Sequence, residues 1–425
     1  MKKIIFLMCL GLLVAGCADD KKYAPKEGRI AVSEILDPAL PKATNHSEII
    51  LGEQENVTLW PQTNATGQNR IPYGKISQNP KQIWSTNIGK GLNADRWKLS
   101  EPVVANGIVY ALDADFNLSA IRLSDGKRLW KKELPLKNPT AIRNVGLAYS
   151  YDKLFAVSGN GTVMCLDLKG NIVWQKEYKL AFRSAPTIYQ NLIYLIAADN
   201  ELILLKTDNG AISWRYKAMA VTTNLLGMGT PAIYKKAAVV PFSNGEVITF
   251  DVNSKQVVWS EYLSSARAYN RISELTHILS SPVIADEVVY LIGNAGKMGA
   301  YDLRRGKEIW SLPMGGNSTP AITGNTLFAI NNQNILVALD KKTGKLFWDL
   351  PLRSNEKKGS TLWKGPILAG DNGVVVSSKG DILFVDLKTG QEVKRIEGNG
   401  ISVSPILVDG TLLLLTDEAD LIAYK

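Results

Sequence analysis

The sequence contains few of the residues that build metal centres, disulfides and nucleophilic active sites. Its 425 residues include 3 cysteines and 2 histidines. Cys9 and Cys17 lie at the amino terminus, so Cys165 has no partner for a structural disulfide in the body of the chain. His46 and His277 are far apart in sequence. We therefore expect no metal site, and Cys165, which stands in an apolar strand pattern, is predicted to be a small buried residue.

Catalytic motifs and strongly charged segments are also lacking. The sequence has no phosphate-binding glycine loop and no nucleophile elbow. Asp113 and Asp115 are separated by one residue in a turn pattern, which favours turn capping over metal binding. The net charge of +9 is spread along the chain without a basic run, so no nucleic-acid partner is predicted. These absences predict a protein without catalytic residues.

The chain also lacks a predicted membrane-spanning helix. The apolar run at residues 4–16 follows two lysines and is too short to cross a bilayer, so residues 1–16 are predicted to be a secretory signal peptide. Residues 13–17 (Leu-Val-Ala-Gly-Cys) resemble the bacterial lipobox. The resemblance implies cleavage before Cys17, acylation of Cys17 with palmitate, and, with Ala18 next, lipid anchoring in the outer membrane of a Gram-negative bacterium, facing the periplasm. An ordinary signal peptide beside a stray cysteine is the alternative.

Residues 17–75 differ in composition from the rest of the chain. They are rich in asparagine and glutamine, show no periodicity, and contain Pro25, Pro38, Pro41, Pro61 and Pro72. Such a composition predicts a lipidated, largely irregular tether that buries little surface, with one short helix around residues 30–36.

Within residues 76–425 a tryptophan returns in the same setting about every 40 to 50 residues. A glycine usually stands four residues before it. The repeated tryptophans are Trp130, Trp174, Trp214, Trp259, Trp310 and Trp348. This period, with several short strands in each unit, indicates a β-propeller that forms one domain.

Each unit contains four short strand patterns separated by turn signals. In the unit at residues 102–130, Asn106-Gly107 and Asp125-Gly126 lie between apolar runs and predict hairpins. Eight units occur, so we predict an all-β fold: an eight-bladed β-propeller of four-stranded antiparallel blades. The eighth unit stops after its third strand, and the segment around Trp84 supplies the fourth, so the N- and C-terminal strands should pair and close the ring. In the seventh unit Lys394 stands in place of the tryptophan.

The repeat resembles the quinoprotein-type propeller unit. Residues 338–348 match its Ala-x-Asp-x-x-Thr-Gly-Lys-x-x-Trp pattern. We expect the tryptophans to pack between blades and the glycines to supply the turn conformation. Dehydrogenases with this repeat typically carry adjacent cysteines and calcium-binding carboxylates, which are not found here. Trp97 or Trp363 could imitate a stacking floor for a quinone, but each is more simply a loop anchor. No cofactor is predicted, and a quinone-dependent dehydrogenase is the less favoured alternative.

Several links between blades are not short, and two of these follow one another in the chain. They connect Trp214 to Pro231 and Trp259 to Pro282, and by topology they lie on the same face. The second link mixes arginine, tyrosine and aliphatic residues, a composition favoured at protein contacts. Long loops in compact domains are often functional, although each link could instead pack only on its own blade.

Taken together, these features resemble the BamB family, the β-propeller lipoproteins of the outer-membrane β-barrel assembly machinery. The lipobox, the tether, the segment Trp60-Pro61-Gln62, the eight repeats and the terminal strand pairing carry the resemblance. It implies a non-catalytic scaffold that binds the periplasmic repeat domains of the barrel-assembly porin and aids insertion of nascent outer-membrane proteins. The alternative outside this family is a periplasmic propeller that binds cell-wall or polysaccharide ligands.

The resemblance also implies where a partner binds. Leu225-Leu226-Gly227 keeps the leucine and glycine of the family's Leu-Arg-Gly stretch, and residues 276–279 lack both aspartates of its Asp-Val-Asp stretch. The expected contact residues are Leu225, Leu226, Gly227, Arg267, Arg271, Leu275, His277 and Ile278. We predict that the leucines and Ile278 form an exposed apolar patch on one face, with the two arginines at its rim.

Overall fold

A computed structural model describes residues 48–137, 139, 142–219, 227–263, 276–355 and 360–425, and in these ranges the fold is all β. Thirty-two strands form eight separate antiparallel sheets of four strands each. The arrangement is an eight-bladed β-propeller, which confirms the predicted fold. No helix within these ranges is long and apolar enough to cross a membrane.

The first four blades follow one another along the chain. Blade 1 contains β2 (Val103–Ala105), β3 (Ile108–Leu112), β4 (Asn117–Arg122) and β5 (Arg128–Glu133). Blade 2 contains β6 (Asn144–Ser150), β7 (Lys153–Ser158), β8 (Thr162–Asp167) and β9 (Ile172–Glu177). Blade 3 contains β10 (Thr187–Tyr189), β11 (Leu192–Ile196), β12 (Glu201–Lys206) and β13 (Ile212–Lys217). Blade 4 contains β14 (Ala232–Tyr234), β15 (Ala237–Pro241), β16 (Glu246–Asp251) and β17 (Val257–Tyr262).

The next three blades repeat this order, and the eighth takes its outer strand from the start of the propeller. Blade 5 contains β18 (Val283–Ala285), β19 (Val288–Gly293), β20 (Lys297–Asp302) and β21 (Glu308–Leu312). Blade 6 contains β22 (Ala321–Thr323), β23 (Thr326–Ile330), β24 (Ile335–Asp340) and β25 (Leu346–Pro351). Blade 7 contains β26 (Trp363–Ala369), β27 (Asn372–Ser377), β28 (Asp381–Asp386) and β29 (Glu392–Glu397). Blade 8 contains β30 (Ile406–Val408), β31 (Thr411–Leu415), β32 (Asp420–Tyr424) and β1 (Gln82–Asn87).

The ring closes in blade 8, where the two ends of the propeller sequence meet. β1 pairs antiparallel with β32, and Trp84 lies opposite Ala423. Lys81 and Lys425 exchange backbone hydrogen bonds of 3.0 and 2.9 Å just beyond the pair. The predicted terminal strand pairing is confirmed, and it completes a blade that would otherwise be one strand short.

Neighbouring blades are joined by the repeated tryptophans, as predicted. Six indoles, counting that of Trp84, lie against the glycine of the turn that precedes the outer strand of the next blade, and an added Cβ at Gly126 would come within 2.6 Å of the Trp84 ring. Gly126 has φ +69°, so both its conformation and its lack of a side chain are needed. Five indoles also donate Nε1 to a carbonyl of that turn: Trp84 to Leu123 at 2.8 Å, Trp174 to Thr207 at 3.0 Å, Trp259 to Leu303 at 2.9 Å, Trp310 to Lys341 at 3.0 Å and Trp348 to Leu387 at 3.1 Å.

Two positions depart from this pattern for identifiable reasons. Lys255 replaces the turn glycine of blade 4 at φ +62°, and its ammonium donates to Val252 O, the carbonyl that corresponds to the indole acceptor in other blades. Lys394 replaces the tryptophan of blade 7. The outer strand of blade 8 is β1, which comes from the start of the propeller sequence, so no hairpin turn joins it to the preceding strand of that blade. Lys394 Nζ instead donates to Asn79 Oδ1 at 2.8 Å and to Pro80 O at 3.2 Å, in the residues that lead into β1.

Residues 49–74, here called the strap, run around the axis across the innermost strands of all eight blades. In chain order the strap meets blades 6, 8, 1, 2, 3, 4, 5 and 7. In each blade it accepts a hydrogen bond from one backbone N–H of the inner strand or of the hairpin that follows. The donors are Asn325 to Ile50 O at 3.0 Å, Asp409 to Val57 O at 2.7 Å, Val104 to Trp60 O at 2.8 Å, Tyr149 to Pro61 O at 2.6 Å, Ile188 to Gln62 Oε1 at 3.0 Å, Ile233 to Gly67 O at 2.5 Å, Ile284 to Gln68 O at 3.0 Å and Gly370 to Gly74 O at 2.9 Å.

The strap corrects the predicted domain boundary at residue 75. Trp60 is 1% exposed, and Ile71 and Tyr73 are also buried in the same hydrophobic cluster as blades 7 and 8. The described part of the predicted tether is irregular, as expected, but it belongs to the fold. Sequence periodicity could not show this, because the strap binds mainly through its own backbone atoms. The rest of the predicted tether, and the predicted signal peptide, lie outside the described residues.

Asn69 holds the strap to blades 4 and 5. Its amide Nδ2 donates to Thr230 O at 3.1 Å, to Pro231 O at 3.3 Å and to Pro282 O at 3.1 Å. Its Oδ1 accepts from Thr230 Oγ1 at 2.9 Å and from Asn64 Nδ2 at 3.3 Å. Since Asn69 is fully buried, its loss would leave several polar groups without partners.

We predict that Trp84→Ala destabilises the protein by about 3–5 kcal/mol, the range for truncation of a large core aromatic. The loss is expected because Trp84 fills the contact between the closing blade and blade 1. Chemical denaturation followed by fluorescence or circular dichroism measures it. Trp97 is 51% exposed, so Trp97→Ala is the matched control and should cost less than about 1 kcal/mol. Equal losses of stability in both variants would show that the contact between blade 8 and blade 1 has no special role.

We also predict that Asn69→Ala lowers the free energy of unfolding by about 2 kcal/mol or more, because buried carbonyls lose their donor. Asn56 is exposed on the same strap, so Asn56→Ala should be nearly neutral. Chemical denaturation curves of the two variants test this. An unchanged unfolding midpoint for Asn69→Ala would mean that the strap contributes little to the stability of the ring.

Candidate partner-binding face

The strap and the long links lie on opposite faces of the propeller. The four strands of each blade alternate in direction, so the hairpin after the inner strand and the link from the outer strand to the next blade leave at opposite ends. The strap bonds near the hairpins that follow the inner strands. The face that carries the links from outer to inner strands, here called the loop face, is therefore not crossed by the strap.

The two long links meet beside the axis on the loop face. Gly229 N donates to Ile278 O at 3.3 Å, and Thr230 N donates to Ser281 Oγ at 2.9 Å. An added Cβ at Gly229 would lie 2.1 Å from Ser280 O, so glycine is required for this close approach. The described ends of the two links are therefore neighbours beside the axis.

Five of the predicted contact residues lie outside the described residues: Leu225, Leu226, Arg267, Arg271 and Leu275. Gly227 is described. It is half-buried, has φ +103°, and an added Cβ there would meet no atom within 4 Å. The space around Gly227 is therefore open, whereas the patch formed by the other five residues stays a prediction.

The prediction that Ile278 is exposed is wrong. Ile278 is 1% exposed and His277 is 2% exposed. Ile278 packs in a hydrophobic cluster that contains Val239, Trp259 and Leu291. The end of the second link turns inward here to reach the axis before β18 begins, and this turn places both side chains inside the protein.

Two exposed apolar residues at the start of the links were not among the predicted contact residues. Met219, directly after β13 in blade 3, is 74% exposed, and Tyr262 at the end of β17 is half-exposed. Charged neighbours of Met219 are paired with each other, since Lys217 Nζ lies 2.9 Å from Asp199 Oδ2. Met219 therefore offers apolar surface beside already compensated charges. The sequence signal for Met219 was a large apolar residue directly after an outer strand, where polar residues are usual.

Residues on the axis enclose a polar cavity of about 150 Å³. The strap residues Thr63 and Asn64 line it together with the segments that precede the inner strands, which lie toward the loop face. Three ionisable side chains line it: Lys98 and Glu101 from blade 1 and Lys364 from blade 7.

Burial shifts the pKa of each of these groups in the direction that favours its neutral form. It lowers the pKa of Lys98 to about 8, and the nearby positive charges of Lys364 and Arg183 act in the same direction. It raises the pKa of the Glu101 carboxyl to about 7, against the opposing effect of the Asn64 N–H, which lies 3.0 Å from Glu101 Oε2. It also lowers the pKa of Lys364.

Other residues named in the sequence analysis have structural roles. Cys165 is buried, as predicted, and burial raises the pKa of its thiol to about 11, so little reactive thiolate forms at neutral pH. Asp113 Oδ1 accepts the backbone N–H groups of Asp115 and Asn117 at 3.0 and 2.8 Å, which confirms turn capping. In the described part of the chain no three histidine, cysteine or carboxylate side chains are grouped to hold a metal ion.

Comparison with known proteins gives consistent matches for this propeller. The family model for outer membrane protein assembly factor BamB matches residues 137–350 and 311–425. The outer membrane protein assembly factor BamB of Yersinia pestis is 26% identical over 270 residues, which span 62% of this chain and 66% of that protein, just under two thirds of its length.

Two solved structures show the same fold at low sequence identity. The crystal structure of BamB from Moraxella catarrhalis has a TM-score of 0.69 at 16% identity and covers 82% of this chain and 100% of that one. The quinohemoprotein alcohol dehydrogenase of Comamonas testosteroni has a TM-score of 0.71 at 12% identity and covers 87% of this chain and 81% of that one. Because a dehydrogenase and an assembly factor match equally well, these two likenesses establish the propeller and not its activity.

Proposed function

Because this chain belongs to the family of outer membrane protein assembly factor BamB, we propose that it is a non-catalytic scaffold for the assembly of outer-membrane proteins. The observation that carries the proposal is the family match, which extends from residue 137 to the last residue of the chain. The scaffold role is consistent with the chemistry of the described residues, in which the buried thiol and the turn-capping aspartates have structural roles.

The proposed partner is the barrel-assembly porin of the outer membrane, bound through its periplasmic repeat domains, with nascent outer-membrane proteins as further partners. The proposed contact surface is the loop face around the two neighbouring long links. Met219 and Tyr262 expose apolar surface where these links begin, and Gly227 borders open space. The proposed contact also includes Leu225, Leu226, Leu275, Arg267 and Arg271, which belong to the same links. Apolar and arginine side chains together are favoured at protein contacts.

The proposed location is the outer membrane, with the propeller on the periplasmic side and lipid attached to Cys17. The lipobox-like residues 13–17 support this anchor, and more than one acyl chain would make the anchoring stable. The strap begins at residue 49, so the segment between Cys17 and the propeller is long enough to separate the ring from the bilayer.

Met219→Asp combined with Leu225→Asp is predicted to reduce copurification of the barrel-assembly porin strongly, because each change places an unpaired charge in an apolar contact. The melting temperature should stay nearly unchanged, since Met219 is largely exposed. Affinity purification from detergent-solubilised envelopes, with the porin quantified by immunoblotting, measures the effect.

The matched control places the same charge on the opposite face. Tyr151 is 59% exposed in the hairpin after β6, on the strap side, so Tyr151→Asp should leave copurification unchanged. Ile278→Asp is the contrasting variant and should unfold the protein, because Ile278 is buried. Full binding by the Met219 and Leu225 double variant would place the contact elsewhere on the ring.

The anchor predicts a separate result. Wild-type protein should incorporate labelled palmitate in cells, and Cys17→Ser should not, because the serine hydroxyl is not the acceptor for the lipid. Metabolic labelling followed by immunoprecipitation shows this directly. Cys165→Ser is the matched control and should label normally, since Cys165 is buried in blade 2. A wild-type protein without label would disprove lipid attachment at Cys17.

A further inference from the structure

The axial cavity brings two lysine side chains together without an ion pair to either among the described residues. Some other partly buried cations have a carboxylate partner: Arg395 Nη1 lies 2.7 Å from Asp381 Oδ1, and Lys297 Nζ lies 2.8 Å from Glu261 Oε1. At the axis, Lys98 Nζ has only a 3.4 Å contact with Arg183 O. Among the described residues Lys364 has no ion pair within 4 Å and no side-chain hydrogen bond. Two ammonium groups therefore share one cavity without a bonded carboxylate.

Among the described lining residues Glu101 carries the one carboxyl group, which cannot balance two ammonium groups. Glu101 accepts a hydrogen bond from the backbone N–H of Asn64, and neither lysine forms an ion pair with it. Burial favours the neutral forms of all three groups, since it raises the pKa of Glu101 to about 7 and lowers the pKa of Lys98 to about 8. Arg183, which influences Lys98, adds a further positive charge. A partly buried ammonium without a carboxylate partner is unfavourable, so this arrangement favours entry of an anion from outside the protein.

The cavity wall also presents hydroxyl groups suited to an oxyanion. Ser100, Ser281, Ser318, Thr319, Ser402 and Ser404 line it. The buried Ser100 Oγ has no hydrogen-bond partner among the described residues, so its proton is available to a ligand. Hydroxyl and ammonium groups together bind oxyanions with strong, charge-assisted hydrogen bonds.

We propose that the axial cavity is a binding site for one carboxylate group, held by Lys98, Lys364 and Ser100. A monoanion fits better than a dianion, because the Glu101 carboxyl shares the cavity and would repel a second negative charge. The volume of about 150 Å³ accommodates one small head group rather than a ring system. The carboxylate belongs either to a free small acid or to the C-terminus of a polypeptide that enters from the loop face. This site does not depend on the proposed scaffold role.

The test measures acetate binding to the complete propeller protein at constant ionic strength, by ligand-observed NMR and by the rise in melting temperature with acetate. Wild type should bind saturably and become more stable, as expected for a ligand specific to the folded state. Lys98→Met and Lys364→Met should each weaken binding about tenfold or more, the effect of losing one charge-assisted hydrogen bond. Without acetate, both variants should melt at or above the wild-type temperature, because an unpaired buried charge is removed.

Lys388→Met is the matched control. Lys388 is exposed on the rim of blade 7, the blade that also carries Lys364, so this change removes the same charge far from the axis and should leave binding unchanged. The proposal is overturned if wild type shows no saturable acetate binding, if all three variants bind like wild type, or if inorganic phosphate binds and acetate does not.

A second arm identifies the source of the carboxylate. An N-acetylated alanine tripeptide with a free C-terminus is compared with the same peptide carrying an amidated C-terminus. Binding of the free acid alone, in competition with acetate, assigns a polypeptide C-terminus. Binding of acetate without either peptide assigns a free small acid. Equal binding of both peptides would show that the carboxylate is not what the site recognises, and would refute the proposal.

Discussion

The contact between an outer-strand indole and the next blade's turn is the interaction on which the ring depends. The eight sheets are separate, so their backbone ladders stabilise blades but do not join one blade to the next. At the outer strands, contact between neighbouring blades comes from side chains, and the indole supplies both a flat apolar surface and an Nε1 donor. The two departures support this view. Lys255 supplies a replacement donor, and Lys394 stands at the boundary where the usual turn does not exist.

A second constraint acts at the centre of the ring. The inner strands present backbone donors toward the axis, and no further strand of the same blade can pair with them. The strap accepts one such N–H from each blade, and the consecutive residues Trp60, Pro61 and Gln62 reach blades 1, 2 and 3. The strap residues Thr63 and Asn64 also line the axial cavity, together with segments that precede the inner strands. The loop face carries the long links and the exposed Met219.

This arrangement relates the fold to the proposed scaffold function. A rigid ring holds two neighbouring links in fixed positions, and the strap leaves their face uncovered. Family membership supports the proposed assembly role, while the solved structures show that the same propeller also occurs in dehydrogenases. The propeller alone therefore does not identify an activity, which depends on the residues of particular sites.

The sequence by itself determined the number of blades, the closing strand, and the role of the tryptophans, because these features depend on local patterns repeated along the chain. Asn-Gly and Asp-Gly turns and a periodic tryptophan are visible without any tertiary contact. Only the tertiary structure showed that the strap belongs to the fold, since it binds through backbone atoms that leave no pattern of side chains. It also showed that Ile278 turns inward, and that Lys98 and Lys364 meet at the axis. Residues this distant in sequence come together only when the ring closes, because closure brings blades 1 and 7 to the same central cavity.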